Sequence, residues 1–330
     1  MFVSKTIFIS PIDWGLGHAS RCVRLIEDLS KNNTVIIGTT PLTSFFFDRY
    51  FPKLQKVEVP SYKIAYSKRL PLWIKLLLQW PKIKRTIREE KKQLEKIVDR
   101  YKIDLIISDN RFGLSHPFVH SIFITHQLNV KTPFFSSIAN NINRNYIHKF
   151  NEVWVPDFED PKLRLSGELS DSSRIKTPVK YIGPQSALTN FQTSNSNSEK
   201  YDYLILLSGV EPQRTILENC LLEKFKDSNK KIVFVRGSNS KITNKSTNIR
   251  LINFCFGEKL QSLIVNSETV ICRSGYSTLM DLYLLNKKNI ILIPTPGQTE
   301  QEYLADYFEK KFKCKKVLQR EITEDLHQVF

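Results

Sequence analysis

Short runs of β-branched and apolar residues recur along the chain, with amphipathic stretches between them. In the first half they fall at 6–10, 34–38, 56–59, 104–108, 121–125, 152–155 and 179–182. Runs of four to six such residues separated by helical patterns predict strands buried on both faces, the signature of βαβ units in a parallel sheet. At 186–200 the text turns to Ser, Thr, Asn and Gln with almost nothing to bury, which is linker composition. The alternation resumes at 203–207, 231–235, 249–252, 269–272 and 289–293. The expected architecture is therefore α/β: two Rossmann-like domains, 1–185 and 201–330, joined by a 186–200 linker and facing a central cleft. Ligands are expected at the carboxyl ends of the strands.

Composition adds a partner class but no fold. The 330 residues are 41% hydrophobic and 25% charged, ordinary values for a folded chain of about two domains. Lys and Arg number 49 against 33 Asp and Glu, a net +16 that calls for an anionic partner: nucleic acid, an acidic membrane face or a phosphorylated small molecule. Charge alone does not choose among them. Residues 62–102 hold 13 basic and 4 acidic side chains, +9 of the total, and include Leu70-Pro71-Leu72-Trp73-Ile74-Lys75-Leu76-Leu77-Leu78-Gln79-Trp80. A basic, Trp-containing amphipathic stretch suits an anionic bilayer surface; a helix packing Leu and Trp on its own domain fits equally well. No nucleic-acid motif accompanies the basic residues, and nucleic acid is not an expected partner.

Cys22, Cys220, Cys255, Cys272 and Cys314 are scattered, with no CxxC pair, so neither a disulfide framework nor a structural zinc site is expected. A reducing compartment fits, either the cytoplasm or the inner face of its membrane. No signal peptide is expected before the strand at 6–10, and no apolar run reaches the roughly 18 residues of a membrane span.

The candidate chemistry lies in the loops after strands. The first is Ile12-Asp13-Trp14-Gly15-Leu16-Gly17-His18-Ala19-Ser20-Arg21, leading into a helical pattern. Gly15 and Gly17 would let backbone N–H groups approach a phosphate or sugar at a helix start. A nicotinamide fingerprint would require a third glycine and an acidic residue about 20 positions on; Ser20 and the strand end Ile37-Gly38-Thr39-Thr40 supply neither, and no P-loop exists. His18, with an unperturbed pKa near 6.5, is a candidate general base or hydrogen-bonding clamp. A histidine capping its own helix is the plainer alternative. Ser108-Asp109-Asn110-Arg111-Phe112-Gly113 and Thr125-His126-Gln127-Leu128-Asn129 end later strands at the same sheet edge, making Asp109 a second base candidate or a turn aspartate.

The second half repeats the strand, glycine turn, helix arrangement. Ser208-Gly209-Val210-Glu211-Pro212-Gln213-Arg214 offers a fixed positive charge for a diphosphate. Arg273-Ser274-Gly275-Tyr276-Ser277-Thr278 opens a helix whose Asp281, one turn in, could accept from both ribose hydroxyls. Gln298, Glu300 and Gln301 stand at a further strand end, where amides and carboxylates read sugar hydroxyls.

Cys272-Arg273-Ser274-Gly275-Tyr276-Ser277-Thr278-Leu279-Met280-Asp281 resembles the C-R-S-G-x-x-T-x-x-E nucleotide motif of GT-B glycosyltransferases of family 28, with Asp281 in place of Glu. In pattern the chain is most similar to the N-acetylglucosaminyltransferases of lipid II synthesis. Gln298 to Ala305 resembles the donor-sugar segment, with Gln301 at the glutamine that contacts the sugar. Gly15, Gly17 and His18 resemble the glycine-rich first loop, and His126 to Asn129 a His-Glu-Gln-Asn segment with Gln127 for Glu.

The resemblance implies inverting transfer from a nucleotide diphosphate sugar, a UDP-sugar such as UDP-N-acetylglucosamine, to a lipid-linked or cell-surface glycan acceptor bound mainly by the N-terminal domain. It implies His18 or Asp109 as base, His126 shaping the acceptor pocket, Asn129 nearby, and Phe254, Cys255 and Phe256 bordering the nucleotide base. Ser208, Gly209, Glu211, Gln213, Arg214 and the 273–281 motif would hold the donor. N–H groups at 274–277 and Arg214 would stabilise the leaving diphosphate, so neither metal nor cofactor is expected. The first loop lacks the doubled glycines of the lipid II enzymes, and only 25 residues follow Ala305, so the helix that usually closes the fold is short here or the chain continues. A nucleotide-sugar hydrolase of the same architecture, with water in place of the acceptor, fits the 12–21 loop equally well.

Overall fold

In the computed structural model of the protein, residues 2–64, 72–188, 199–209, 211–242 and 246–324 are described. Residues 2–64 and 74–186 form one compact unit, and residues 72–73 with the chain from 187 onward form another, so the helix at 72–78 crosses the division. Ser186, Ala187 and Leu188, the first residues of the expected linker, are buried; 189–198, the rest of its polar stretch, and 65–71 of the basic segment lie outside the described residues.

The first unit runs β1 (Thr6–Pro11), α1 (Gly17–Ser30), β2 (Thr34–Thr39), α2 (Pro41–Tyr50), β3 (Gln55–Glu58), α3 (Leu72–Leu78), α4 (Trp80–Tyr101), β4 (Leu105–Asp109), β5 (His120–Ile124), α5 (Ser136–Ile147), β6 (Glu152–Val155) and β7 (Val179–Tyr181). Its seven strands are all parallel, in the order β3-β2-β1-β4-β5-β6-β7. Ile7, Phe8 and Ile9 of the central β1 are wholly buried, as expected of a strand covered on both faces.

Within α4, Ile83, Ile87, Leu94 and Ile97 are buried at helical spacing. Leu94 and Ile97 pack on Phe8, Ile36 and Ile106 of the sheet, while Ile83 and Ile87 pack on Ile12 and Tyr62. For this part of the basic segment, packing on its own unit with Lys and Arg turned outward is the observed arrangement. One carboxylate goes inward with the apolar face. Buried Glu90 accepts from Tyr62 Oη (2.7 Å), Arg111 Nη1 (2.7 Å) and the Gly113 N–H (3.0 Å). Arg111 also donates to the Pro11 and Pro60 carbonyls (both 2.8 Å), so this network anchors α4 to the end of β1 and to the loop after β4. Burial raises the Glu90 carboxyl, and Arg111 opposes the rise.

The second unit runs β8 (Tyr201–Leu206), α6 (Gln213–Phe225), β9 (Ile232–Val235), β10 (Ile249–Ile252), α7 (Gly257–Asn266), β11 (Ser267–Cys272), α8 (Tyr276–Leu284), β12 (Ile290–Leu292), α9 (Thr299–Phe312), β13 (Lys315–Lys316) and α10 (Gln319–Glu324). The sheet is parallel, ordered β10-β9-β8-β11-β12-β13. Ile205, Leu207, Leu217, Leu221, Phe234 and Ile271 belong to its core. The twelve expected strands lie within two residues of their predicted bounds; β13, two lysines at a sheet edge, carries no apolar signal and was not expected.

In each sheet the chain steps outward from its first strand and then returns to the other side of that strand. The reversal lies between β1 and β4 and again between β8 and β11. Loops diverge there at the carboxyl ends of the strands, leaving room for a ligand.

Candidate functional site

The register of β1 on β4 sets Pro11 opposite Asp109, and the Ile12 N–H donates to the Asp109 carbonyl (2.8 Å). The chain then turns through Gly15 at φ +86°, a left-handed conformation that favours glycine, and enters α1 at Gly17. His18, Arg21 and Cys22 stand three and four residues apart, so they share a face of α1. That face meets Asp109. His18 Nδ1 lies 2.7 Å from Asp109 Oδ1, Arg21 Nε donates to Oδ2 at 2.6 Å, Arg21 Nη2 donates to Oδ1, and Cys22 Sγ stands 3.4 Å from Oδ2.

Asp109 is completely buried. Burial by itself would raise its carboxyl, but Arg21 and then His18 outweigh that and hold it well below the usual carboxylate range. It is therefore an ionised, fully engaged group and not a proton acceptor for substrate, which corrects its place as a base candidate. Because a carboxylate only accepts, His18 Nδ1 carries the proton and Nε2 keeps its lone pair. Burial, and next the neighbouring Arg21, lower the His18 pKa below 6.5 while Asp109 opposes them. The imidazole is thus neutral at pH 7, and at 16% exposure it still reaches the surface.

His126, expected to shape an acceptor pocket, is buried behind this pair, its Nδ1 3.1 Å from Arg21 Nη1. Arginine only donates, so His126 Nδ1 accepts. Asn129 is committed to the scaffold: Nδ2 donates to the carbonyls of Glu168 (3.1 Å) and Asp171 (2.7 Å), fastening its loop to a 3-10 turn at Gly167–Ser170. Arg21 was not among the expected site residues, although its spacing from His18 is a usable signal.

In the second unit, Cys272 of β11 pairs with Leu206 of β8, so Ser208 and exposed Gly209 emerge beside Arg273, Ser274 and Gly275. Arg214 was expected to face a diphosphate, but its guanidinium is buried. It donates to Glu211 (2.6 Å), Glu218 (2.9 Å) and the Arg236 carbonyl (3.1 Å), and Arg236 holds the other Glu218 oxygen at 2.5 Å. Arg273 is likewise internal. It donates to the carbonyls of Ile293 and Pro294 (both 3.1 Å) and Gln213 (2.9 Å) and to the Gln319 side chain (2.7 Å), clamping four segments together, and burial lowers its pKa to about 10.

Ser274 is also buried, its hydroxyl donating to the Gln301 carbonyl (2.7 Å), so it joins the loop before α8 to α9. Gln301 Oε1 accepts from the Thr295 N–H (2.9 Å), which leaves Nε2 as the donor it can offer a sugar. Gln213 is buried. Gly275 differs from all of these. Its φ of −73° suits any residue, and a Cβ placed there would meet nothing within 4 Å, so neither backbone nor packing requires glycine. It leaves open space at the start of α8, whose first-turn N–H groups have no intrahelical acceptor. Ser277, Thr278 and Asp281, spaced along one face of that helix, are half-buried. Phe254 and Phe256 flank buried Cys255, their rings 6.1 Å apart and 13° from parallel. Gln298 and Glu300 are half-buried at the start of α9, and Glu211 is exposed.

Residues 207–330 match the glycosyltransferase family 28 C-terminal domain. The fold is GT-B. The structure resembles that of the kitacinnamycin glycotransferase, at 11% identity over 98% of this chain and 92% of that one, with a TM-score of 0.65. It also resembles SnogD from Streptomyces nogalater, at 12% identity over 98% and 92%, TM-score 0.61. Arabidopsis thaliana UGT89C1, solved with UDP-L-rhamnose, is similar at 13% identity over 99% and 91%, TM-score 0.60. No curated protein matches the chain by sequence. The domain match and these folds together support a glycosyltransferase.

Proposed function

We propose that the protein transfers a sugar from a UDP-sugar, with UDP-N-acetylglucosamine the donor its motif favours, to a hydroxyl of a lipid-linked or cell-surface glycan acceptor at the inner face of a membrane. The reaction is a single displacement with inversion and uses no metal. The observation that carries the reading is the His18–Asp109 pair, a neutral imidazole whose Nδ1 is held by a buried carboxylate and whose Nε2 keeps its lone pair. Nε2 takes the acceptor hydroxyl proton as the oxygen attacks the anomeric carbon, and the bond from that carbon to the diphosphate oxygen breaks. Asp109 stabilises the imidazolium that forms.

The donor's diphosphate lies against the N–H groups at the start of α8, where Gly275 lets it approach, and the dipole there disperses the leaving group's charge. Asp281 takes the ribose hydroxyls, Gln301 Nε2 reaches the sugar, and the Phe254 and Phe256 rings border the base. That UGT89C1 was solved with UDP-L-rhamnose supports a UDP-sugar here.

The test is transfer of labelled N-acetylglucosamine from its UDP form to a lipid-linked glycan. Wild type should form glycosylated product with one UDP released per sugar moved. His18→Ala should lose about 10²–10⁴-fold in turnover while binding UDP as before. UDP release at the same rate without acceptor would overturn transfer in favour of hydrolysis.

A further inference from the structure

Glu90 lies between Ile87 and Leu94 on the buried face of α4, where a helix that only packed on its sheet would carry an apolar side chain. Its partner Arg111 stands two residues past Asp109. Both side chains are wholly buried, Glu90 Oε1 lying 2.7 Å from Arg111 Nη1. An ion pair so placed contributes little net stability, because the cost of desolvating two charges offsets their attraction. Arg111 Nη2, moreover, has no hydrogen-bond partner among the described residues and stands 3.8 Å from Asp13. Stability alone is a poor reason for the pair, and its surroundings offer a better one.

Arg111 meets both strands that present His18 and Asp109. Its Nε donates to the carbonyl of Pro11, the last residue of β1, and the strand register sets Pro11 opposite Asp109. Only residues 12–17 separate Pro11 from His18. On the other strand the chain turns sharply between Asp109 and Arg111 through Asn110 at φ +58°, a left-handed conformation uncommon for a residue with a side chain. Ser108 closes that turn: its Oγ donates to the Arg111 carbonyl (2.6 Å) and accepts from the Arg111 N–H (3.2 Å). Gly113 then fits against α4 only as glycine, since a Cβ there would lie 2.5 Å from the Glu90 side chain and 2.6 Å from the Ile87 carbonyl oxygen. The end of β1 and the turn after β4 are thus fixed to one guanidinium, and that guanidinium to α4.

We propose that Arg111, oriented by Glu90, is a positioning residue: by tying the Pro11 carbonyl to the turn that carries Asp109, it sets the contact between Asp109 and the His18 imidazole. This role extends the proposed chemistry of His18 and rests on that reading for its purpose. A side chain that only filled the core could be exchanged for an apolar one of like size with the pair unaffected. A positioning side chain cannot, because a displacement of about 1 Å can lower turnover about 10²-fold. The charged or titratable groups facing His18 are Arg21 and Cys22 on α1, Asp109 at the end of β4 and His126 after β5. Burial lowers the His18 pKa, Arg21 and His126 add to that, and Asp109 opposes them, so a loosened Asp109 contact lets the value fall further.

The test is the double substitution Glu90→Gln with Arg111→Met, which removes both buried charges together and keeps an acceptor for Tyr62 and the Gly113 N–H. NMR titration of the His18 ring in the full chain without substrate, its signal assigned with His18→Gln, should give a pKa below the wild-type value. Melting temperature and UDP binding should stay near wild type. In the transfer assay kcat should fall about 10²-fold with the donor KM unchanged. Arg111→Lys keeps a charge for Glu90 but cannot also reach the Pro11 and Pro60 carbonyls, and should move both readouts in the same direction. A folded double variant with wild-type kcat and a wild-type His18 titration would overturn the proposal; should that variant not fold, the same result in Arg111→Lys overturns it. Wild type that transfers no sugar would sink the transferase reading, while the His18 titration would still decide whether Arg111 sets the pair.

Discussion

Between β1 and β4 the first unit packs a carboxylate, a guanidinium, a thiol and two imidazoles into one cluster, whereas between β8 and β11 the second leaves the equivalent position to backbone N–H groups and a glycine facing open space. The strand order about the two reversals is the same, so topology offers the location and side chains decide its use. Moving a proton needs a titratable group whose state is fixed by neighbours, and Asp109 and Arg21 do this for His18. Receiving a diphosphate needs dispersed positive potential that can be approached closely, and a helix start supplies it without a buried charge in contact with the ligand. The arginines of the second unit, Arg214 and Arg273, are buried and tie its loops together, Arg214 through the Arg236 carbonyl and Arg273 through the carbonyls of Gln213, Ile293 and Pro294.

Substitutions should separate the two positions. The largest effect is expected for His18→Ala, about 10²–10⁴-fold in turnover with UDP affinity unchanged, read by steady-state kinetics beside calorimetry. Asp109→Ala leaves Arg21 buried without its counter-charge and should cost about 3–5 kcal/mol of stability in a urea titration, where an effect below about 1 kcal/mol would mean that the pair is not desolvated. In the second unit, Asp281→Ala should weaken UDP binding by about 1–3 kcal/mol. Gly275→Val, filling space that only a ligand would occupy, should leave the melting temperature alone and reduce UDP affinity about tenfold, or about 1.4 kcal/mol; full affinity would place the diphosphate elsewhere.

The smallest effect concerns pH. His18 must be neutral to act as base, and its folded pKa lies below 6.5, so kcat/KM should rise with pH through that lowered value and be level by pH 7. Protonation favours the unfolded chain, so this residue's contribution to stability is intact above about pH 6.5 and is lost as pH falls through the folded value. Asp109→Asn removes the group that opposes the lowering, so the acid limb of the profile should move further down; an upward move would contradict the assignment.

Most of the strand framework was legible because buried parallel strands leave unbroken apolar runs in the sequence. The position of the loops after β1 and β4 at the carboxyl edge of the sheet was legible for the same reason, since the ends of such runs mark that edge. The direction of an arginine was not. Arg214 and Arg273 look like ligand residues in a loop, and only their partners show otherwise. For Arg214 a hint existed in Glu218, four residues on in the same helix; Arg273 bonds mainly to carbonyls, which any sequence would supply. Helix α5 shows the converse ambiguity, because Ile138 and Ile142 have the spacing of a core helix and only their exposure separates the two cases.

The most direct test of the central claim, a metal-free diphosphate site in the second unit, is calorimetric titration of the protein with UDP, GDP and CMP, with and without EDTA. The account predicts UDP binding near micromolar, about 8 kcal/mol, unchanged by EDTA. Absence of UDP binding, or binding abolished by EDTA, would contradict it.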